Sequence, residues 1–453
     1  VTNLPANLGV GWMIMPQPER KARSASSRGA STTPRQYTVR TRASQSAAAH
    51  DAPAARSAQP QGHAADFSAY RGWRMLLNPI WCYHGFALCV FMLMVFGLVM
   101  VFSSSSVSMV AVGATPWSQA LDQAKFCIIG LVAFAVALAL PYRVYAKLCT
   151  PLVAMAGFMQ FLTLTPLGVE VNGNKGWINL GFATFQPAEL VKFVLCITLP
   201  KLLVEVGKRH ERGAPTHIKD YLWTFGTYGA LLVLVLAGRD LGTTMILVFI
   251  GLVAFCFSDF PRKWLGALAV GLAGACVLFA IMSPNRMRRI LATYQGCSAS
   301  DMQDACYQAT HAKYALASGG FLGVGLGNSR EKWNYLPEAH NDFIYAIIGE
   351  ETGFVGAVLV LVLFAVIAWC MIVVALRTPN RYTSMALLCF TVWIVGQALV
   401  NIAVVVGILP VMGVPLPFVS AGGSSLILCL AAAGASMSMM RSQPQIAAER
   451  QRS

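Results

Sequence analysis

Residues 336–356 read LPEAHNDFIYAIIGEETGFVG, and the apolar run that begins inside them continues to residue 375. A run this long exceeds the ~20 residues that cross a hydrocarbon core of ~30 Å. Pro337 suits an extended approach to a helix, and Asn341 or Asp342 suits its N-cap, so the stretch reads as a helix entering a membrane with Asp342 at its mouth. Glu350 and Glu351 then fall about two turns further in, roughly 12 Å deeper, with Glu350 near the face of Asp342. The expectation is one span carrying a polar stripe inward. Ionisable groups at such depth are costly, and each is a candidate for function.

Working outward, nine more apolar runs appear, near 85–104, 124–141, 146–166, 187–206, 221–237, 241–258, 264–282, 382–408 and 423–441. The chain has 453 residues, 56% hydrophobic and only 12% charged, where a soluble protein carries about 25% charged. The fold class is therefore an all-α polytopic membrane protein with ten transmembrane helices over 85–441. With both termini cytoplasmic, Arg143, Lys147, Lys208, Arg209, Arg212, Arg262, Lys263, Arg377, Arg381 and Arg441 all fall inside. The net charge of +15 is then mostly topology and anionic membrane lipid, and it calls for no nucleic-acid partner.

Residues 1–65 are rich in Ser, Ala, Arg, Gln and Pro without apolar periodicity, which predicts a disordered basic cytoplasmic tail. Such a tail can resemble a transit peptide, but a solvated tail at the cytoplasmic leaflet is the simpler reading. No cleavable secretory signal is expected, since the first apolar run begins far along the sequence. Residues 66–84 read as a juxtamembrane interfacial segment, and 442–453 as a cytoplasmic tail. Between the seventh and eighth spans lies a large extracellular loop, 283–341, of a length that usually carries function. Ten of the twelve cysteines sit in or beside apolar runs. Cys297 and Cys306 are in the outer loop, where they form either a disulfide or two free thiols. No CxxC or Cys/His cluster suggests a structural metal.

Other polar residues face the same side. Gln186, Glu189 and Lys192 open the fourth span in QPAELVK, where Glu189 and Lys192 share a helical face and form either a functional pair or a buried structural one. Asp240 in GRDLGTT can cap the sixth helix, and capping alone would explain it. Arg286, Arg288 and Arg289 follow the seventh span. PLPFVSAGGSS, 415–425, supplies a Ser/Gly-rich turn whose amides can hold an anion, or simply turn. The series Gly319, Gly320, Gly323, Gly325 and Gly327 reads as loop flexibility; it does not sit between a strand and a helix, so no nucleotide fingerprint is assigned. Carboxylates, arginines and an amide-rich turn together suit a polar, anionic substrate whose remainder sits in lipid.

Four stretches, in order, resemble the SEDS family (shape, elongation, division and sporulation), which polymerises bacterial cell-wall glycan. They are NGNKGWINLGFATFQPAELVK, RDLGT, the block from ASGGFLGVGLGNSREKW through EETGFVG, and QALVNIAVVVGILPVMGVPLPFVSAGGSS. The family often has a basic residue directly before the tryptophan of the first motif; here Gly176 precedes Trp177, which weakens any role for a basic side chain there. Ala421 stands where the family often has an aromatic residue, a form that looks more like the actinobacterial division branch than the elongation branch.

The resemblance implies a glycosyltransferase joining lipid II units at the outer face, with inversion by single displacement and an undecaprenyl diphosphate leaving group. It implies Asp342 as the catalytic general base. It assigns Gln186, Glu189, Lys192 and Asp240 to substrate or cavity, with Glu338 and His340 orienting the base and Ser420, Gly422 and Ser424 shaping the wall. Lys192, Arg286, Arg289 or a divalent cation (Mg or Mn) would stabilise the diphosphate; no cofactor is certain. The implied partners are a class B penicillin-binding protein, a single-span transpeptidase, and other division proteins, with the protein in the bacterial cytoplasmic membrane at the septum. Two rivals stand beside this reading. A lipid II flippase needs polar access from both faces, whereas these polar residues gather toward one. A non-catalytic division scaffold would tolerate loss of Asp342.

Overall fold

The computed structural model describes residues 72–171, 173–179, 181, 184–213, 217–281, 284–295 and 306–452. The proposed 1–65 tail lies outside the described residues. The helices are α1 (Pro79–Ala111), α2 (Ser118–Ala139), α3 (Tyr142–Leu162), α4 (Pro187–Glu211), α5 (Leu222–Ala237), α6 (Leu241–Cys256), α7 (Arg262–Ile281), α8 (Pro284–Gln295), α9 (Tyr307–Ser318), α10 (Ile344–Arg377), α11 (Arg381–Thr391), α12 (Gln397–Val405), α13 (Gly423–Met440) and α14 (Pro444–Arg452). A helix stands at each of the ten expected places. Among the described residues, seven helical segments are long and apolar enough to cross a membrane, and α6 is a shorter apolar helix. The chain is a multi-pass, almost wholly helical membrane protein.

Helix α4 is the hub. Its residues from Val191 to Pro200 are all buried, and α3, α5, α6, α11 and α13 pack around it. A stretch buried on every side, with Lys192 as its one charged residue, has to lie inside a bundle. Helix α13 runs against α2, and α1 against α10. Between α11 and α12, residues Val392–Gly396 are wound as a π-helix, a local widening that often marks function.

Several expectations need correction. The loop after α3 is not irregular: Gly168–Val171, Asn174–Asn179 and Thr184–Phe185 form a three-stranded antiparallel sheet, so the fold is not purely α. Helix α1 starts at Pro79, capped by Asn78, so the end of the interfacial segment already belongs to the span. The 442–453 tail contains α14, with Ile446 buried.

The largest correction concerns the stretch that sets the fold. Helix α10 is not one rod, because Gly353 (φ 69°, ψ −167°) breaks it into a short first arm and a long second arm. Tyr345 Oη donates to the Ala357 carbonyl at 3.1 Å, although twelve residues of straight helix would separate them by about 18 Å. The chain turns back because only glycine takes this backbone conformation readily. Depth along α1 confirms the reversal. A Cβ at Gly97 would lie 2.6 Å from Val419 Cα, and the adjacent Ser420 bonds the Asn341 carbonyl at 2.8 Å. Ser103, about 9 Å further toward the Ala111 end, bonds Glu351. Glu350 and Glu351 thus lie on the Ala111 side of Asp342, not deeper.

The glycines before α10 are equally specific. A Cβ at Gly319 would meet the Gly349 carbonyl at 2.0 Å, and one at Gly323 the Glu351 carbonyl at 2.2 Å. Backbone bonds Val324 N to Glu350 O (3.0 Å) and Phe354 N to Gly320 O (2.9 Å) close the crossing. Gly319 and Gly323 serve close packing rather than loop flexibility, whereas a Cβ at Gly320 or Gly327 would meet nothing.

Candidate active site

Asp342 stands two residues before α10, half-buried, with its peptide fastened on both sides. Ser420 Oγ donates to Asn341 O at 2.8 Å, Ala421 N to His340 O at 2.9 Å, and Asn401 Nδ2 to Asp342 O at 2.7 Å. Among the described residues the Asp342 carboxylate accepts no hydrogen bond, so it is available to a ligand. A Cβ at Gly413 would sit 3.4 Å from its Oδ2, which places the 409–422 loop against it. Desolvation, reinforced by the charges of Glu338 and Asp240 and opposed by Arg289, pushes Asp342 up to about 7. Burial lowers the His340 imidazole below its usual range, with Glu338 opposing. Glu338 itself is bonded by Asn341 Nδ2 at 2.6 Å and has a left-handed backbone (φ 58°).

The sequence candidates divide into groups. Glu338, Asp240 and Arg289 each act electrostatically on Asp342. Asp240 caps α6 through Thr243 N (3.0 Å) and also accepts from Gln186 Nε2 (3.3 Å), so capping is real but not its whole role. Gln186 N in turn donates to Ser424 Oγ at 3.3 Å, which ties together the starts of α4, α6 and α13. Arg286 lies on α8, with its side chain outside the described ones.

Glu189 and Lys192 are elsewhere. Each is 1% exposed, and Lys192 Nζ is taken up by Glu189 Oε1 (2.8 Å) and Gln397 Oε1 (2.6 Å) over the Trp393 ring. Direct contact with a substrate at Asp342 is closed to them in this arrangement. The Ser/Gly-rich turn is committed too: Leu416 N bonds Ser420 Oγ, Ser420 N bonds Leu416 O, and Gly422 N bonds Gln123 Oε1. Ser420 and Gly422 therefore fasten the loop, and their amides are not open to an anion.

Glu350 and Glu351 form a separate latch. Glu350 accepts from Ser318 Oγ, Ser329 Oγ and Arg330 N, and Glu351 from Ser103 Oγ and Lys332 Nζ (3.1 Å). Together they bind the 318–332 loop to α1 and α10. Cys306 is buried and disulfide-bonded; Cys297 lies outside the described residues. Among the described residues no three His, Cys, Asp or Glu side chains gather to hold a metal ion.

Gln123, Gln397, Asn401, Ser103 and Lys332 are not among the residues that ionisable groups in spans single out. The available signal was the amides themselves: Gln397 and Asn401 are four apart on one helical face within an apolar run.

Comparison with known proteins agrees with this architecture. The FTSW_RODA_SPOVE family model, described as a cell cycle protein, matches residues 83–445. The chain is 34% identical over 390 residues to a probable peptidoglycan glycosyltransferase FtsW of Mycobacterium tuberculosis, covering 85% of this chain and 72% of that protein. It is 32% identical over 352 residues to stage V sporulation protein E of Bacillus subtilis, covering 77% and 94%. Among solved structures, Thermus thermophilus rod shape determining protein RodA matches with a TM-score of 0.59 at 26% identity over 79% of this chain and 96% of that one. A chain from a structure described as a peptidoglycan synthase complex that coordinates polymerization and crosslinking matches with a TM-score of 0.63 at 25% identity, covering 79% and 97%. The protein belongs to the SEDS family of FtsW, RodA and SpoVE.

Proposed function

We propose that this chain is a peptidoglycan glycosyltransferase that polymerises lipid II at the outer face of the cytoplasmic membrane, with Asp342 as general base. The observation that carries the reading is an unbonded carboxylate on a peptide held from both sides, with a pKa pushed up to about 7. A base near the working pH combines an ionised fraction with a real drive to take a proton. Asp342 accepts the proton of the attacking sugar hydroxyl as its oxygen bonds the anomeric carbon. The bond to the diphosphate oxygen breaks on the opposite face, so the configuration inverts. Arg289 is the cation that faces Asp342, and it is the group suited to the departing diphosphate. Lys192, neutralised by Glu189, is not.

Ten spans with cytoplasmic termini is the topology assigned: helices stand at the ten expected places, seven helical segments among the described residues are long and apolar enough to cross a membrane, and the mycobacterial likeness supports a division role at the septum. A class B penicillin-binding protein suits the apolar groove between α10 and α12, lined by Leu361, Phe364, Trp369, Val395 and Leu399. The test is polymerisation of fluorescent lipid II by the purified protein with its cognate transpeptidase, parent against Asp342→Ala at matched folding. Glycan ladders that vanish with the substitution support the reading. No ladders, with labelled lipid II crossing vesicles that hold the protein, would replace it with a flippase.

A further inference from the structure

The buried Glu189–Lys192 pair is joined to the peptide of Asp342 by an unbroken path. Lys192 Nζ holds Gln397 Oε1 at 2.6 Å, and Gln397 Nε2 donates to the Pro415 carbonyl at 2.8 Å. The preceding carbonyl, Val414 O, takes one amide proton of Asn401, and Asp342 O takes the other, each at 2.7 Å. Helix α4, helix α12 and the 409–422 loop are thereby fixed to the peptide unit of Asp342.

The path is expensive in stability. Both partners of Asn401 Nδ2 are carbonyls, which fixes the amide's orientation and leaves its buried Oδ1 without a partner among the described residues. Glu189 Oε2 and Trp393 Nε1 are also unpartnered. Each such atom carries a desolvation penalty that apolar side chains of similar volume would avoid. Departures of this kind belong at sites that hold geometry for function.

We propose that Gln397 and Asn401 are positioning residues of the polymerisation reaction, and that the Glu189–Lys192 pair acts through them rather than by touching substrate. The proposal rests on Asp342 as base. The path sets where the Asp342 peptide lies, and hence how its carboxylate meets the attacking hydroxyl. The charged groups that act on that carboxylate are Glu338 on its own segment, Asp240 at the head of α6 and Arg289 on α8, and His340 lies two residues before it in the chain. None belongs to the path. Loosening the path therefore changes the enclosure of Asp342 without removing any of its charged neighbours.

The test measures lipid II polymerisation by the full chain with its transpeptidase from about pH 5 to about pH 9. The variants are Asn401→Ala, Gln397→Met and the neutral double Glu189→Gln/Lys192→Met, with Asp342→Asn alongside. We expect kcat to fall about 10- to 100-fold in the path variants, with KM for lipid II nearly unchanged. We also expect the midpoint of the rate profile to move down from about 7 as water reaches the carboxyl. A raised KM with an unmoved midpoint would assign these residues to substrate contact and overturn the proposal. A merely structural role would lower the yield of folded protein and leave the midpoint where it is. Should Asn401→Ala fail to fold, Gln397→Met, which keeps the volume, must show the same signature. An inactive Asp342→Asn beside parent-like path variants overturns this proposal alone, whereas a parent-like Asp342→Asn overturns the base assignment and this proposal with it.

Discussion

Two segments are fastened into the helical body by opposite chemistry. The 409–422 loop beside Asp342 is held by the neutral amides Gln123, Gln397 and Asn401, each bonding backbone. The 318–332 loop is held by Glu350, Glu351 and Lys332, all charged types. A single charge 4 Å from a carboxyl contributes about 4 kcal/mol at an effective dielectric constant of about 20, enough to move its pKa by about three units. Amides can therefore position the base without setting its ionisation, while the latch is free to use the stronger interaction. Fastening near the Asp342 carboxylate is by neutral amides, and fastening away from it is by charged groups.

The largest effect tests the centre of this contrast. Asp342→Asn should lower polymerisation by about 10²- to 10⁴-fold, the usual contribution of general base catalysis. In the parent, the rate should rise with pH through about 7 as Asp342 ionises. The stability effect has the opposite sign. A carboxyl raised in the fold contributes stability below its ordinary pKa near 4 that is lost as pH rises through about 7. Above neutrality Asp342→Asn should therefore melt at a higher temperature than the parent, and near pH 4 at the same one. A lower melting temperature above neutrality would show that the ionised carboxylate is a stabilising element, and fastening by neutral amides would fail as a description.

Next in size is the latch. Lys332→Met leaves Glu351 buried with only Ser103 as partner, and breaking such a pair costs about 3–5 kcal/mol. Thermal unfolding in detergent should show a large fall for this variant, and the double Lys332→Met/Glu351→Gln should recover most of it. A single variant no weaker than the double would mean that the latch does not depend on charge.

Legibility in the sequence follows the same division. A helix stands at the place of every long apolar run, and charges singled out in the sequence, Asp240 and Arg289, are among those that act on Asp342 in the fold. The reversal at Gly353 was not legible, because GEETGFVG keeps helical spacing and its glycine is recognisable as a break only beside Gly319 and Gly323, some thirty residues earlier. The path to the base was hidden for a different reason. Gln397 and Asn401 carry no charge, and their partners are backbone carbonyls, which leave no trace in side-chain identity. Glu189 and Lys192 were conspicuous, yet their charges left a functional and a buried structural pair equally open, and their burial joins them to Gln397.

The backbone break gives an intermediate effect. Gly353→Ala forces a side chain into a strained conformation, with its Cβ 2.3 Å from Gly323 N, and should destabilise by about 3 kcal/mol. It should detach the Glu350 and Glu351 end of α10 before the Asp342 end. Hydrogen exchange should rise in residues 319–332 and remain low in 414–422. Equal loss of protection in both would show that the two fastenings are one unit.

The smallest effect is the sharpest discriminator. Gln123 donates to Ser420 O at 3.2 Å and accepts from Gly422 N at 3.3 Å, both long bonds to a buried turn. Gln123→Leu removes both and should cost about 1–2 kcal/mol, with a loss of rate of only a few-fold. Gln123→Glu keeps an acceptor for Gly422 N, replaces the donor to Ser420 O with a second acceptor, and brings a charge into the amide-held region. If neutral fastening is the rule beside the base, the glutamate must be the worse of the two, in melting temperature and in rate. Its ionised form opposes the Ser420 carbonyl, and its protonated form must itself be raised in pKa to exist. A glutamate milder than leucine would mean that hydrogen-bond count governs this loop and that the neutrality of the side chains fastening it has no role.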